Sequence, residues 1–275
     1  MRKIMNKAKV MSWYQWTTVG GRVLTRIISF KGTVIQCVKQ LQRKTPQYLW
    51  DVFVKRKQSG YFDHIKENAD DTTVVCQVDY TESYTLQDQD QIQSAHWSKK
   101  QVSIFTAYIW MGGSGWDGYS FGFVSNLKKH DKFTVITYLE ILIQEIIALM
   151  PDVDQIIFFR MVLPLELLFV ITWQGVVDSI NGTLKRFVWM GVMAGARCSS
   201  AKEFVNICRR KTKTILVALV QQAQFDTTEA LLKTYFQNIV GVPNIRKQHH
   251  INVLNKDVIE CALYATCKDK YVFKF

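Results

Sequence analysis

Residues 72–80 read TTVVCQVDY, an apolar, β-branched run that ends in an acid, Asp79, and a final tyrosine. β-Branched residues are enriched in strands, and a short continuous apolar run is typical of a strand buried on both faces. An acid that closes such a strand is either a solvated carboxylate or a charge kept for chemistry. Which of the two applies to Asp79 decides much of what this chain is expected to do.

The chain after Asp79 predicts three antiparallel strands followed by helices and further strands. Strands are expected at 102–111 and 119–125, with the glycine-rich segment 112–118 as the turn between them. The later elements are, in chain order, the helix 134–150, the strands 155–159 and 165–172, the helices 177–190, 201–211 and 227–238, and short strands at 251–254, 258–264 and 271–275. This order predicts an α/β fold with a ribonuclease H-like core, in which an antiparallel meander is followed by parallel strands with flanking helices. Other α/β domains share part of the order, so order alone does not settle the fold.

Positive charge is concentrated near the N-terminus. The formal net charge is +12, and residues 1–58 hold 13 Lys and Arg against a single acid, Asp51. Such a region suits a polyanion, either nucleic acid or an acidic membrane surface, unless it only keeps the chain soluble. Apolar residues at helical spacing between 31 and 66 predict two helices around a turn at Pro46. We therefore divide the chain into a basic, mainly helical region at 1–70 and an α/β domain at 71–275.

Composition favours a folded protein of the nucleus or cytoplasm. The chain is 48% hydrophobic and 21% charged, which excludes wholesale disorder. Six scattered cysteines show no metal-binding spacing, so we expect thiols in a reducing compartment. The N-terminus lacks the apolar region of a signal peptide, and the longest apolar stretch, 155–173, is interrupted by Arg160, Pro164 and Glu166. We expect no membrane span and no membrane partner.

Three segments resemble a known family. Gln77-Val-Asp-Tyr-Thr-Glu-Ser-Tyr84, then Gln89 to Trp97 and Gln101-Val102, are similar to a motif of uncharacterised DDE/D-type transposase-like proteins from animal DNA transposons. The segments 48–62 and 175–186 resemble two further blocks of these proteins, and the order of the blocks is the same. The resemblance extends over about residues 11–265. It identifies the chain as a degenerate copy of such a transposase.

The resemblance implies a Mg²⁺-dependent strand-transfer or nuclease core. Two metal ions about 4 Å apart activate the attacking hydroxyl and stabilise the leaving oxygen of a phosphodiester. Mg²⁺ takes oxygen ligands, so carboxylates must converge on it from different elements. In the family the first acid lies on the first strand, where this chain has Asp79. The second ends the fourth strand, and the third lies on a later helix, where Asp178 is the candidate.

The second acid of this pattern is missing. The fourth predicted strand runs straight into Arg160, and the expected acid falls near Phe159 or Arg160, neither of which ligates Mg²⁺. Asp152 and Asp154 precede the strand and are expected at its opposite end. Glu166 is the remaining candidate for the catalytic position.

Each candidate also has an ordinary explanation. Asp79 is either a metal ligand or a strand-end carboxylate, and Asp178 is either a metal ligand or, like Ser179, a helix N-cap. The basic pairs and triplets are either phosphate contacts or solvated helix faces: Lys55, Arg56, Lys57, Lys185 and Arg186.

Three functional classes remain open. The first is a transposase-derived protein with an inactivated core that binds DNA through its basic N-terminal region. The second is a working Mg²⁺-dependent transposase or nuclease that uses Asp79, Asp178 and Glu166. The third is a nucleic-acid-binding or interaction module without chemistry. The sequence indicates neither the DNA target nor the oligomeric state.

Overall fold

The structure is a computed structural model that describes residues 9–18, 25–86, 100–112, 118–127, 129, 131–160, 175–235, 237 and 241–275, with 15–18, 25–28, 81, 82, 160 and 246 described by backbone alone. The strand predicted at 165–172, the interior of the turn predicted at 112–118, and Glu166 lie outside these residues. In chain order the elements are β1 Val10–Thr18, β2 Thr25–Thr33, α1 Val34–Asn68, β3 Thr73–Thr85, β4 Gln101–Met111, β5 Gly118–Ser125, α2 Lys132–Leu149, β6 Gln155–Arg160, α3 Val176–Met193, α4 Ala201–Lys211, β7 Ile215–Leu219, α5 Gln222–Tyr235, β8 His250–Asn255, β9 Val258–Ala262 and β10 Lys270–Lys274. No described helix combines the length and apolarity that crossing a membrane requires.

The chain divides into two compact units. The described residues up to Tyr61 and those from Gly241 to Phe275 form the first unit, and the described residues between Phe62 and position 237 form the second. The first contains the hairpin β1–β2, most of α1 and a sheet in the order β10-β9-β8. The second contains a five-stranded sheet and the other four helices.

The N-terminal region differs from its sequence prediction in two ways. Within the region expected to be mainly helical, residues Val10–Thr18 and Thr25–Thr33 form the antiparallel hairpin β1–β2, in which the rings of Trp13 and Phe30 stack with their centroids 6.0 Å apart. The prediction of two helices around Pro46 is wrong, because a single helix, α1, contains that proline. A proline inside a helix removes one backbone hydrogen bond and costs about 3 kcal/mol, and α1 continues through Pro46 despite that cost.

The five-stranded sheet has the order β6-β3-β4-β5-β7. β3, β4 and β5 form the predicted antiparallel meander; β6 pairs with β3 in parallel and β7 with β5 in parallel. The second unit is thus a mixed α/β structure with helices on both faces of a mixed sheet. β7 was not predicted, since its five apolar residues carry no periodicity that separates a strand from a helix.

The two faces of this sheet bury different cores. On one face, aromatic residues of β4 and β5, led by Phe105, Phe121 and Phe123, pack against Tyr138 of α2 and Phe225 of α5. On the other face, aliphatic residues of the strands pack against α3 and α4. We call these the aromatic face and the aliphatic face of the sheet.

The other predicted elements agree with the structure apart from their bounds. The helices expected at 134–150, 177–190 and 201–211 correspond to α2, α3 and α4, whereas α5 begins five residues before the predicted 227. The three short strands of the C-terminal region are confirmed as β8, β9 and β10.

Candidate functional site

Asp79 lies on β3 on the aliphatic face of the sheet. Successive side chains of a strand point to opposite faces, and Val74, Cys76 and Val78 belong to the aromatic core. Gln77 and Asp79 therefore point towards the face covered by α3 and α4. Asp79 is half-buried, so its carboxylate is neither fully solvated nor fully enclosed.

Asp79 begins a row of positions that crosses the sheet on this face. It is in register with Thr106 of β4, which is in register with Gly122 of β5. The Thr106 side chain is 0% exposed, and its hydroxyl has no hydrogen-bond partner among the described residues. A buried hydroxyl without a partner destabilises a fold by about 1–3 kcal/mol. The row therefore places an unsatisfied polar group directly beside Asp79.

Two glycines, one on β5 and one directly before α3, let helix α3 pack closely over this row. A Cβ atom built on Gly122 would lie 2.6 Å from Cδ1 of Leu184, so the absence of a side chain lets α3 approach β5. A Cβ atom on Gly175, directly before α3, would collide with the side-chain amide of Gln77. The start of α3 is thus held against β3, two residues along the strand from Asp79.

Asp178 occupies the first turn of α3 but is not its N-cap. Gly175 is the N-cap residue, so the expectation of a cap at Asp178 or Ser179 is wrong. Instead, Oδ2 of Asp178 accepts a hydrogen bond from the Gly175 backbone N–H at 3.0 Å, and the Asp178 backbone N–H donates to the Gly175 carbonyl at 3.1 Å. Asp178 is thus the third residue after the N-cap. From there its carboxylate still satisfies one of the backbone N–H groups that a helix start leaves without partners.

The strand beside Asp79 carries no carboxylate where the second acid is expected. Gln77 is in register with Phe159 of β6, and Val78 is in register with Arg160. Phe159 packs edge-on against Phe62, with ring centroids 4.8 Å apart, and so belongs to an aromatic cluster. Asp152 and Asp154 precede β6, which begins its pairing beside Thr73, at the far end of β3 from Asp79. Their expected position is confirmed.

These residues do not fit a pair of Mg²⁺ ions. A two-metal site needs several oxygen ligands that converge on both ions. Within the described part of the chain, no three His, Cys, Asp or Glu side chains lie close enough together to hold a metal. Asp79 and Asp178 are the two described candidates, and the carboxylate of Asp178 is already bound to its own helix. Glu166 lies outside the described residues.

The predicted phosphate contacts lie on two helices. Arg56 and Lys57 are exposed on α1, and Lys55 is half-buried. The Lys57 ammonium lies 5.8 Å from the centroid of the Phe53 ring, a distance typical of a cation–π contact. On α3, Arg186 is exposed and Lys185 is half-buried.

A further basic surface was missed in the sequence. Asn206, Arg209, Arg210 and Lys213 line an open recess beside α4. The spacing i, i+3 and i+4 places Asn206, Arg209 and Arg210 on one face of α4, and Lys213 follows two residues after the helix ends. That spacing is visible in the sequence, but residues 59–275 contain as many acidic as basic residues, so their composition indicates no basic surface.

Together these elements define a mixed α/β protein whose sheet carries an acid, Asp79, and whose described strand β6 carries no acid near it. The chain belongs to the family described as Domain of unknown function (DUF8701), whose model matches residues 58–160 and 163–265. The first matched segment includes the whole of β3 to β6, and the second includes α3 to β9. Comparisons with curated proteins and with solved structures found no match.

Proposed function

We propose that this protein derives from a DDE/D-type transposase with a ribonuclease H-like core, that its metal-dependent strand-transfer site is inactive, and that it binds nucleic acid through basic surface residues. The observation that carries the proposal is the register of β3 and β6. It sets Phe159 beside Gln77 and Arg160 beside Val78, so the end of β6 nearest Asp79 carries no carboxylate, whereas an active enzyme of this class carries its second acid there.

The sheet supports the proposed ancestry. The antiparallel meander β3–β4–β5, the parallel strand β6 beside β3, and helices on both faces are the features that a ribonuclease H-like core calls for. Asp79 lies on the first strand of the meander, as the first metal ligand of such a core does. β7 adds a parallel strand at the edge formed by β5.

Loss of the second acid removes the chemistry for an electrostatic reason. Two divalent cations at one phosphodiester are stable only when several carboxylates neutralise them. Arginine offers no oxygen ligand and is always protonated. An arginine or a phenylalanine in place of this acid therefore removes a metal ligand and its neutralising charge.

Nucleic-acid binding is supported by the distribution of charge. The concentration of Lys and Arg in residues 1–58 suits a polyanion, and Arg56 and Lys57 are exposed on α1. Contacts between such side chains and phosphates release counterions, so the affinity for duplex DNA falls as salt rises, with a logarithmic slope of about −0.9 per contact.

Salt-dependent binding of a fluorescent DNA duplex tests this part of the proposal. The triple variant K55Q/R56Q/K57Q is expected to bind more weakly than the wild type, with a slope smaller by up to about 3. The control variant K256Q/K268Q/K274Q removes the same charge from exposed positions in the C-terminal residues, and it should bind like the wild type. Equal weakening by both variants would show a non-specific charge effect, and no binding by the wild type would contradict the proposal.

Metal-dependent stabilisation tests the other part. If Asp79 no longer holds Mg²⁺, then 10-fold increases in Mg²⁺ or Mn²⁺ should shift the Tm of the wild type and of D79N equally. A wild-type Tm that rises with the metal, and a loss of that rise in both D79N and D178N, would show a working metal site and favour the active-enzyme alternative. Ligand that binds only the folded state raises stability by mass action, so this measurement needs no substrate.

A further inference from the structure

Helix α4 separates its apolar and basic residues sharply. Ala201, Phe204, Val205 and Cys208 are buried at the spacing i, i+3, i+4 and i+7, against α3 and the sheet. The four residues that line the recess follow the same spacing on the outer side of the helix, with Lys213 just beyond its end. We call the surface formed by Asn206, Arg209, Arg210 and Lys213 the α4 recess.

The three cations of the α4 recess have no anionic partner among the described residues. The ion pairs among the described residues join Lys233 to Glu229 and Lys270 to Glu260, both outside the α4 recess. The one acid of α4, Glu203, accepts hydrogen bonds from the Ser199 backbone N–H at 2.6 Å and from the Ser199 hydroxyl at 2.8 Å. Three positive charges on one surface repel each other, and a bound anion would relieve that repulsion.

Arg209 is held in place by the fold. Its Nε donates a hydrogen bond to the Val217 carbonyl of β7 at 2.7 Å. The side chain is exposed, so the outer nitrogens of its guanidinium keep donors for a ligand. A tethered arginine loses less conformational entropy on binding than a mobile one, which makes it a better anion ligand than its exposure suggests.

We propose that the α4 recess binds phosphate groups of a nucleic-acid backbone, as a second contact surface besides the basic residues of α1. This inference rests on the proposed nucleic-acid binding and names a place for it that the transposase resemblance does not include. Arg, Lys and Asn side chains are common phosphate contacts in nucleic-acid complexes, and they position the backbone without reading its sequence.

The shape of the α4 recess favours a polymer over a small anion. The recess has a volume of about 640 Å³ and lies among exposed side chains, so it does not enclose a ligand. A free phosphate at such a site competes with water on most sides. A strand that carries successive phosphates can instead meet Arg209, Arg210 and Lys213 together, and each contact adds to the affinity.

The double variant R210Q/K213Q tests the proposal in the full chain. Arg209 is kept, because it also bonds to β7. The control K211Q/K256Q removes the same charge from two exposed lysines, one of which neighbours Arg210 in sequence but does not line the α4 recess. Binding to a DNA duplex is measured by fluorescence anisotropy between 50 and 300 mM salt, and thermal unfolding confirms that both variants fold.

We expect R210Q/K213Q to bind at least about tenfold more weakly near 0.1 M salt, with a logarithmic salt slope smaller by about 2, while the control equals the wild type. Wild-type binding that both variants retain with the same slope would overturn this inference and leave nucleic-acid binding by α1 standing. A wild type that binds no DNA would contradict the proposed function, and this inference with it. Inorganic phosphate that competes with DNA below 10 mM would contradict the polymer preference, and binding of anionic vesicles instead of DNA would overturn the choice of ligand.

Discussion

The two faces of the five-stranded sheet differ in how they treat polar groups. On the aromatic face, the buried Tyr138 hydroxyl shares a hydrogen bond with Ser125 at 2.9 Å, and its ring stacks on Phe105. On the aliphatic face, the buried Thr106 hydroxyl has no described partner, and it lies beside Asp79. The buried Tyr138 hydroxyl is therefore satisfied. The aliphatic face instead keeps a polar row, Asp79 and Thr106, in which a buried hydroxyl is left unsatisfied among the described residues at a cost in stability.

The largest expected effect is the loss of the aromatic core. Tyr138 is 0% exposed, and its ring also meets Phe225 edge-on at 5.4 Å. Tyr138→Ala should lower the free energy of unfolding by about 3–5 kcal/mol, measured by urea denaturation, because it leaves a cavity among these rings. Tyr235→Ala, at a side chain that is 73% exposed, is the control and should change it little. A small loss for Tyr138→Ala would mean that the aromatic face is not the stabilising one.

The next effect concerns the close approach of α3 to the aliphatic face. Gly122→Ala should lower the free energy of unfolding by about 1–3 kcal/mol, because the new methyl group overlaps Leu184. Gly182→Ala on α3 meets open space and should instead raise it by about 0.5–1 kcal/mol, since alanine is the better helix former. A neutral Gly122→Ala would show that Leu184 moves aside at no cost and that α3 is not packed tightly against β5.

Two conservative substitutions should change stability in opposite directions. Tyr138→Phe removes the hydrogen bond to Ser125 and should lower the free energy of unfolding by about 1 kcal/mol. Thr106→Val replaces an unsatisfied hydroxyl by a methyl group and should raise it by about 1 kcal/mol. Urea denaturation of both variants measures the contrast between the faces. A destabilising Thr106→Val would show that the hydroxyl has a partner, and the polar row would then be a structural network.

The smallest effect should be alike on both faces, because each face has a helix with an acid at its N-terminal end: Asp131 is the N-cap of α2, and Glu203 lies in the first turn of α4. A hydrogen bond from the Thr134 backbone N–H lowers the pKa of Asp131 below 3.8, and one from the Ser199 backbone N–H lowers the pKa of Glu203 below 4.5. A lowered pKa in the folded state adds stability above the ordinary pKa, and this stability is lost as the pH falls through the lowered value. Denaturation between pH 6 and pH 3 should show this loss in the wild type and a shallower one in D131N and in E203Q. If the free energy of unfolding falls as steeply with pH in both variants as in the wild type, other groups are responsible for the sensitivity to acid.

Local patterns in the sequence predicted most of the sheet, because its strands carry continuous apolar runs and its long helices carry strong periodicity. They failed where tertiary context decided the outcome. Pro46 suggested a turn but lies inside α1, and β7 is too short to show a period. The hairpin β1–β2 was missed because the N-terminal region was assigned from its positive charge, although residues 10–18 contain the aromatic and β-branched residues typical of a strand.

The site was only partly predictable for a related reason. The motif around Asp79 placed the acid on the correct strand, but the sequence could not show that Thr106 is its cross-strand neighbour, because register depends on pairing between distant segments. Asp178 was expected at the start of α3. That its carboxylate accepts a hydrogen bond from the Gly175 N–H could not be predicted, because this depends on the residue at which the helix begins. The basic residues of the α4 recess have a helical spacing that can be seen in the sequence. That they form an exposed surface follows only from the burial of the opposite face of α4.

Cleavage and joining of DNA measure the central claim most directly. The wild type and D79A are incubated with labelled linear and supercoiled DNA in 5 mM Mg²⁺ or Mn²⁺, and the products are separated on denaturing gels. Because the end of β6 nearest Asp79 carries no carboxylate, we predict no cleaved or joined product above the level of D79A. Metal-dependent products that the wild type makes and D79A does not would contradict the account and establish an active enzyme.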